Sequence, residues 1–311
     1  MDHKTQMRSR LGSYVRTVTV GIPAYNEEQN IANLLLSLEE QQTQKFEVII
    51  SDDSTDNTSN IVRKFAQKSL LDIKLFHSDI RRSTAAAWNQ IFQEATGDTI
   101  VLYDADTIPH PSCTKELLYS VQGNVGLCAS NPQPVQAAGT AGRASVFISN
   151  WLRGVRLAGL SQYTVMGRAL AIDSYVAKKT VIPTDLIAVD LYVQCKTLEM
   201  GRKVVYNDNA IVYFKPVENM LDMTSQVMRA VNGHQQIGRY TSTSDIALPL
   251  QVALIQAVKN AAKDPLGALS VAVGYSLMLY YRSRLENVDT ARWHTATSSK
   301  AIDYQELKTH F

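Results

Sequence analysis

The chain has 311 residues, of which 45% are hydrophobic, 19% charged and 8% aromatic. That length suits one large domain or two ordinary ones with a sizeable core, and fifteen Gly and nine Pro exclude a collagen-like or low-complexity sequence. Lys and Arg total 31 against 29 Asp and Glu, a formal charge of +2, which argues against a dedicated nucleic-acid binder with a concentrated basic surface.

Residues 1–16, MDHKTQMRSRLGSYVR, are polar and basic and lack an apolar run. The expectation is an N-terminal arm rather than a secretory signal, and a cytoplasmic protein. Cys113, Cys128 and Cys195 lie far apart without a CxxC pair. Neither a disulfide framework nor a cysteine-based zinc site can be built from that spacing.

From Thr17 the chain alternates short apolar runs with helical patterns. TVTVGIP predicts a buried strand stopped by proline, with Asn26 as helix N-cap and Glu27 and Glu28 in a first turn. Ile31, Leu34, Leu35 and Leu38 then recur at helical spacing. FEVIIS predicts the second strand, and the turn DDSTDNT leads into a helix with Ile61, Val62 and Phe65. DIKLFH predicts the third strand, Ser83 to Ala95 a helix, and TIVLY the fourth strand. This order implies an α/β fold with a mostly parallel sheet, whose functional groups gather at the carboxyl ends of the strands.

The middle of the chain is less regular. Gly126 to Pro132 and Thr164 to Ile172 predict strands, with a Gly/Ala-rich connection and a helix between them. AVDLYVQCKTLEMG predicts a helix, followed by separate KVVY and AIVYF strands and a helix over Asn219 to Ile237. Ala247 to Ala262 is a further helix pattern, Lys263-Asp264 interrupts, and Pro265 to Tyr281 is uncharged. About 17 residues is the lower limit for a membrane span, so this last run reads as interfacial, buried or spanning, with the basic Arg282-Ser283-Arg284 suited to anionic headgroups.

Asp104-Ala105-Asp106, directly after the fourth strand, is the sharpest chemical feature. Two carboxylates so close repel each other unless a cation compensates, and a hard divalent ion with positions open to phosphate oxygens does so. The plain alternative is a solvated turn. Asp52 and Asp53 close the second strand, and since one cap needs one carboxylate, Asp52 reads as a ligand residue. Tyr25 and Glu27 leave the first strand in the same region. Arg81 and Arg82 offer charge to a diphosphate or form a solvated basic turn. The chain has no GxGxxG or GxxxxGK[ST] at a strand-to-helix turn, no GxSxG elbow and no HExxH.

VTVGIPAYNEE, EVIISDDSTDNT and ATGDTIVLYDADT, in this order, resemble the nucleotide-sugar half of family-2 glycosyltransferases, and the likeness extends from Thr17 to about Pro216. The resemblance implies a GT-A fold, a Rossmann-like mostly parallel sheet flanked by helices, here with a helical C-terminal extension. It divides the chain into the arm at 1–16, a nucleotide-sugar-binding half at 17–132, an acceptor-binding half at 133–218 and the extension at 219–311. It implies an inverting transfer from a nucleotide-diphospho-sugar, UDP- or GDP-linked, to a hydroxyl of a lipid-linked or saccharide acceptor, without nucleic acid.

Carried over by residue, the resemblance puts Pro23, Ala24, Tyr25 and Glu27 around the nucleoside and Asp52 on the base. Asp104 faces ribose and metal, and Asp106 binds the divalent ion, Mn or Mg. Met166-Gly167 resemble the strand that shapes the sugar and acceptor cleft. Where the family shows Glu-Asp before a helix, Val189 replaces the glutamate and Asp190 remains as the general base. Gln226 to Ala230 resembles the QxxRW signature of processive members with alanine in place of tryptophan, which implies transfer of one sugar. Arg82 and Arg229 are candidates for the diphosphate and His234 for a further metal ligand. A sugar-phosphate nucleotidyltransferase would need a Gly-rich basic loop after the first strand, which PAYNEE does not supply. A non-catalytic nucleotide-sugar-binding module is the other alternative. The tail adds contact with the cytosolic face of a membrane as an expectation.

Overall fold

A computed structural model describes residues 16–43, 45–135, 137–161, 168–240, 248–282, 302–309 and 311. Eight strands form one sheet: β1 (Val18–Ala24), β2 (Glu47–Asp52), β3 (Asp72–His77), β4 (Thr99–Tyr103), β5 (Thr107–Pro109), β6 (Val125–Pro134), β7 (Ala169–Asp173) and β8 (Lys203–Phe214). Their order is β3-β2-β1-β4-β7-β6-β8-β5. β3, β2, β1 and β4 run parallel. β7 is antiparallel to both neighbours, β6 and β8 are parallel, and β5 is an antiparallel edge.

The helices are α1 (Ile31–Glu39), α2 (Thr58–Ala66), α3 (Thr84–Glu94), α4 (Cys113–Ser120), α5 (Gly139–Val155), α6 (Ser174–Lys179), α7 (Val189–Glu199), α8 (Met220–Ile237), α9 (Leu250–Lys263), α10 (Pro265–Arg282) and α11 (Tyr304–Lys308). Strand alternation sorts the core into two layers. Val48, Ile50, Val101 and Tyr103 pack with Ile31, Leu34, Leu35 and Leu38 of α1 and Leu117 of α4. Ile49, Ile100, Leu102, Leu170 and Ile172 face the other way, onto Trp88, Ile91 and Phe92 of α3 and Val193 and Cys195 of α7. Ala141 and Ala144 of α5, Met223 of α8 and the half-buried Val271 of α10 form a separate helical layer.

β2 is buried along its whole length, including Glu47. Burial alone would raise that carboxyl. Lys74 at 2.7 Å and hydrogen bonds from Thr19 and Thr96 outweigh it and bring it to about 2.

Two expectations change. Asn26 is not a helix cap: its φ is 54°, a left-handed conformation that asparagine tolerates, and α1 begins only at Ile31. KVVY and AIVYF are one strand, β8, because the intervening Asn207 and Asp208 form an irregularity in the β6–β8 pairing rather than a break. Asn207 Nδ2 donates to Ser120 Oγ at 2.9 Å, and Arg153 grips Asp208 at 2.7 and 2.6 Å, so the bulge is held by side chains from α4 and α5.

α10 turns small residues inward. Gly267, Ser270 and Gly274 are buried, whereas Leu266, Leu269, Val273, Leu277 and Tyr280 are exposed. No helix among the described residues is long and apolar enough to cross a membrane, which removes the spanning reading of 265–281. Glycine, serine and tyrosine dilute this 18-residue helix below the apolar content a span requires.

Candidate functional site

The site opens where β1 leaves β4. Their pairing runs from Val18 to Gly21 on β1, so Pro23, which has no N–H to give, lies beyond the last rung of that ladder. On its other side β1 stays paired through Pro23↔Ser51 and Ala24↔Asp52. A strand with both neighbours parallel, diverging from one of them at its carboxyl end, makes the crevice where α/β sheets bind ligands.

Tyr25, Asn26 and Glu27 enter this crevice on a stitched loop. Asn26 N donates to Ser54 Oγ at 2.7 Å, Asn26 Oδ1 accepts from Thr55 N at 2.9 Å, and Glu27 N donates to Thr58 Oγ1 at 2.8 Å. The Glu27 carboxylate accepts from Asn30 Nδ2 at 2.9 Å. The Tyr25 ring carries the Arg81 guanidinium 4.0 Å above its centre, a cation–π contact on the loop after β3.

At the end of β2 neither aspartate caps α2. Asp52 is fully buried; its Oδ2 pairs with His77 Nδ1 at 2.7 Å and its Oδ1 accepts from Ser54 N at 3.1 Å and from the Ser54 hydroxyl. A base N–H therefore reaches Asp52 only by exchange with one of these partners. Asp53 accepts from Arg82 N, Nε and Nη2 at 2.7, 2.8 and 2.7 Å, and Arg82 Nη2 also donates to Gln90 at 3.1 Å. Arg82 is thus engaged in closing the β2–β3 end of the crevice, and a diphosphate contact from it requires release of part of that pairing.

β4 delivers the paired carboxylates. Ala105 is buried in the core, and the flanking Asp104 and Asp106 keep partial exposure. Thr107 N and Oγ1 donate to Asp104 O at 3.2 and 2.7 Å and fix the turn. Burial, and next the Asp106 charge, push the Asp104 carboxyl from 3.8 up to about 7; Arg168 and Arg229 pull it down, and Asp190 pushes it up again. Asp106, Asp190, Arg168 and Arg229 therefore all sit within electrostatic reach of Asp104 although their positions extend to residue 229.

Each arrives by a different route. Arg168 lies just before β7, where its carbonyl accepts from Asp104 N at 2.9 Å, and Nη1 is 4.0 Å from Asp106 Oδ1. Asp190 is in the first turn of α7, half-buried, with Oδ1 accepting from Leu191 N at 2.9 Å. Arg229 comes from α8, which is seated against the entrance to α7. A Cβ on Gly233 would stand 2.7 Å from Ala188 Cβ, so glycine permits this approach. Gln236 accepts from Ile187 N and donates to Asp185 O, both at 2.8 Å, locking the same contact.

His234 does not join the aspartates: it is exposed, and its Nδ1 makes a 2.8 Å hydrogen bond with Ala230 O on its own helix. Among the described residues no three His, Cys, Asp or Glu side chains converge as a metal site. The chain thus offers two adjacent carboxylates, a donor set that suits a hard cation whose remaining ligands are phosphate oxygens and water. Met166 and Gly167 lie outside the described residues. Sequence reasoning missed Arg168, His77 and Gly233. Arg168 left one signal, a charge inside the otherwise apolar run TVMGRALAI.

Residues 19–165 match the family model for glycosyl transferase family 2. Among curated relatives, the poly-beta-1,6-N-acetyl-D-glucosamine synthase of Staphylococcus epidermidis is 24% identical over 72% of this chain and 56% of its own length. The undecaprenyl-phosphate 4-deoxy-4-formamido-L-arabinose transferase of Pseudomonas fluorescens is 31% identical over 36% of each chain. The chain spans between 23% and 36% of the first four curated relatives it matches.

Among solved structures, the mannosyltransferase PcManGT of Pyrobaculum calidifontis, in complex with GDP-Man and Mn2+, superposes with a TM-score of 0.62 at 23% identity, covering 88% of this chain and 84% of that one. S. aureus TarS in complex with UDP-GlcNAc gives 0.52 at 18% identity, covering 86% and 88%. The fold is that of the GT-A glycosyltransferases.

Proposed function

We propose, for a chain whose residues 19–165 match the family model for glycosyl transferase family 2, that it moves one sugar from a nucleotide-diphospho-sugar to an acceptor hydroxyl with inversion. The observation that carries this reading is the convergence of Asp104, Asp106, Asp190, Arg168 and Arg229 at the carboxyl end of β4. One carboxylate pair suited to a cation, one separate carboxylate on a helix start and two guanidinium groups supply a proton acceptor and positive charge for a leaving diphosphate, which serves a single displacement at an anomeric carbon.

In this reading Pro23, Ala24, Tyr25, Glu27 and Asp52 line the nucleoside end, and Arg229 and the released Arg82 face the diphosphate. Asp104 and Asp106 would hold Mn or Mg, which would offset charge growing on the leaving diphosphate. Asp190 takes the acceptor hydroxyl proton as that oxygen bonds to the anomeric carbon, while the bond to the diphosphate oxygen breaks on the opposite face. The nucleoside diphosphate leaves with the bonding electron pair. GDP-Man and UDP-GlcNAc in the two neighbours support a nucleotide-sugar donor of either kind, with UDP our preference. Ala230, in place of the tryptophan of processive members, supports transfer of one sugar.

The acceptor is lipid-linked or a saccharide, and the exposed apolar faces of α9 and α10 favour one presented at a membrane. Leu250, Leu254, Ile255 and Val258 are exposed on α9 beside Lys259 and Lys263. Asp264, the one acidic residue between 250 and 282, is turned inward to accept from Gly267 N at 2.8 Å. Apolar surface edged by cations suits an anionic lipid interface.

The test is release of nucleoside diphosphate from UDP- and GDP-sugars in the presence of Mn2+. Release that wild type performs and Asp190→Asn does not supports the reading; no release with any donor and acceptor tried, in protein that still binds the nucleotide, favours the non-catalytic module.

A further inference from the structure

We infer that Arg168 is a built-in counter-ion to the Asp104–Asp106 pair and makes divalent-cation binding conditional on the nucleoside diphosphate. The inference rests on the donor-site reading and deepens it.

Arg168 is fixed from two sides. Its carbonyl accepts from Asp104 N at 2.9 Å, and its guanidinium carbon lies 3.7 Å from the centre of the Phe214 ring, itself buried on β8. A planar cation stacked on a buried ring has little freedom to swing away, which a lysine in its place would have. Nη1 stands 4.0 Å from Asp106 Oδ1, close enough to neutralise charge and too far for a hydrogen bond, and Nε is buried with no hydrogen-bond partner. The Asp106 lone pairs thus remain open to a cation, but a cation seated there lies beside a fixed positive charge.

Electrostatics sets the order of events. Without nucleotide, a divalent ion at the aspartates gains two carboxylates and meets the repulsion of Arg168, with Arg229 also in range. A nucleoside diphosphate brings enough negative charge to satisfy both the ion and the guanidinium. Linkage makes the dependence mutual: the ion tightens the nucleotide by the factor by which the nucleotide tightens the ion.

The full-length chain is titrated with Mn2+, reading the free hexaaquo ion by electron paramagnetic resonance, alone and with UDP or GDP. In wild type the nucleotide should tighten Mn2+ by at least about tenfold. Arg168→Met, which keeps the packing on Phe214, should tighten bare Mn2+ by at least about threefold and narrow the coupling by the same factor, leaving the part that phosphate oxygens on the ion supply directly. Arg168→Lys, whose ammonium keeps the charge and can swing away from Phe214, should fall between wild type and Arg168→Met in its hold on bare Mn2+. Wild type that binds UDP or GDP with unchanged Mn2+ affinity overturns this inference alone; wild type that binds neither nucleotide overturns the donor-site reading beneath it. Arg168→Met with unchanged bare Mn2+ affinity assigns the residue to packing and overturns the inference. If Arg168→Met does not fold, Phe214→Leu frees the guanidinium, and bare Mn2+ binding must then tighten or the inference fails.

Discussion

Asp104 and Asp190 share one electrostatic neighbourhood, and the proposed function gives them opposite tasks, one to hold a cation and one to take a proton. Replacing Asp190 by Asn removes the proton acceptor and leaves the donor end intact. The expected result is a fall in kcat of about 10²–10⁴-fold with nucleotide affinity unchanged, read by steady-state kinetics beside equilibrium binding. The raised Asp104 carboxyl makes a second prediction. With its pKa moved from 3.8 up to about 7, the metal-free protein favours the protonated acid, so its stability falls as pH rises between those values. A cation needs the carboxylate, so Mn2+ affinity in the presence of nucleotide should rise by up to about tenfold per pH unit towards neutrality and level off above it. Affinity that stays flat from about pH 6 to pH 8 contradicts the assignment of Asp104.

At this scale the sequence was legible where spacing and strand ends did the work. DAD after TIVLY, and Asp190 at a helix start, stand near each other in the fold. Arg168 was not legible, because its place beside the aspartates depends on an antiparallel pairing of β7 with β4 that the parallel pattern of the first half gives no hint of. His77 was hidden for a similar reason: only the β2–β3 register sets it opposite Asp52.

Among the elements, α8 is one that the proposed site draws on from outside the sheet. It carries Arg229, and Gly233 one turn later lets it approach the start of α7. Gly233→Ala forces a Cβ against Ala188 and should cost about 1–3 kcal/mol of stability, read as a lowered unfolding midpoint. By shifting α8 it should also raise KM for the donor, while Gly238→Ala, where a Cβ meets nothing within 4 Å, leaves KM unchanged. Helix periodicity located α8 in the sequence, and the first four strands were legible from their β-branched runs. β5, α4 and α6 were not, since segments of three to eight residues offer too little periodicity to read.

For the whole molecule, the two core layers hold the sheet so that β1, β2 and β4 end on one edge, and the helical layer of α5, α8 and α10 stands as a third body of packing. α10 spends its small residues on that layer and leaves its large apolar ones outside. If α9 and α10 rest on a membrane, the protein should co-sediment with vesicles containing phosphatidylglycerol. Leu254→Glu or Val258→Glu should each weaken this about tenfold, for roughly 1.5 kcal/mol of lost apolar burial. Unchanged sedimentation of either variant would remove the membrane from the account.

The central claim, a donor site built on Asp104 and Asp106, is tested most directly by thermal unfolding with UDP and GDP, with and without Mn2+, in wild type and Asp106→Asn. Ligand at about a hundred times its Kd adds roughly 2.7 kcal/mol, a shift of about 4 °C for a chain of this size. The account predicts that shift with one of the two nucleotides, only with Mn2+ present, and its loss in Asp106→Asn. No shift with either nucleotide in folded wild type, or an equal shift in Asp106→Asn, would contradict it.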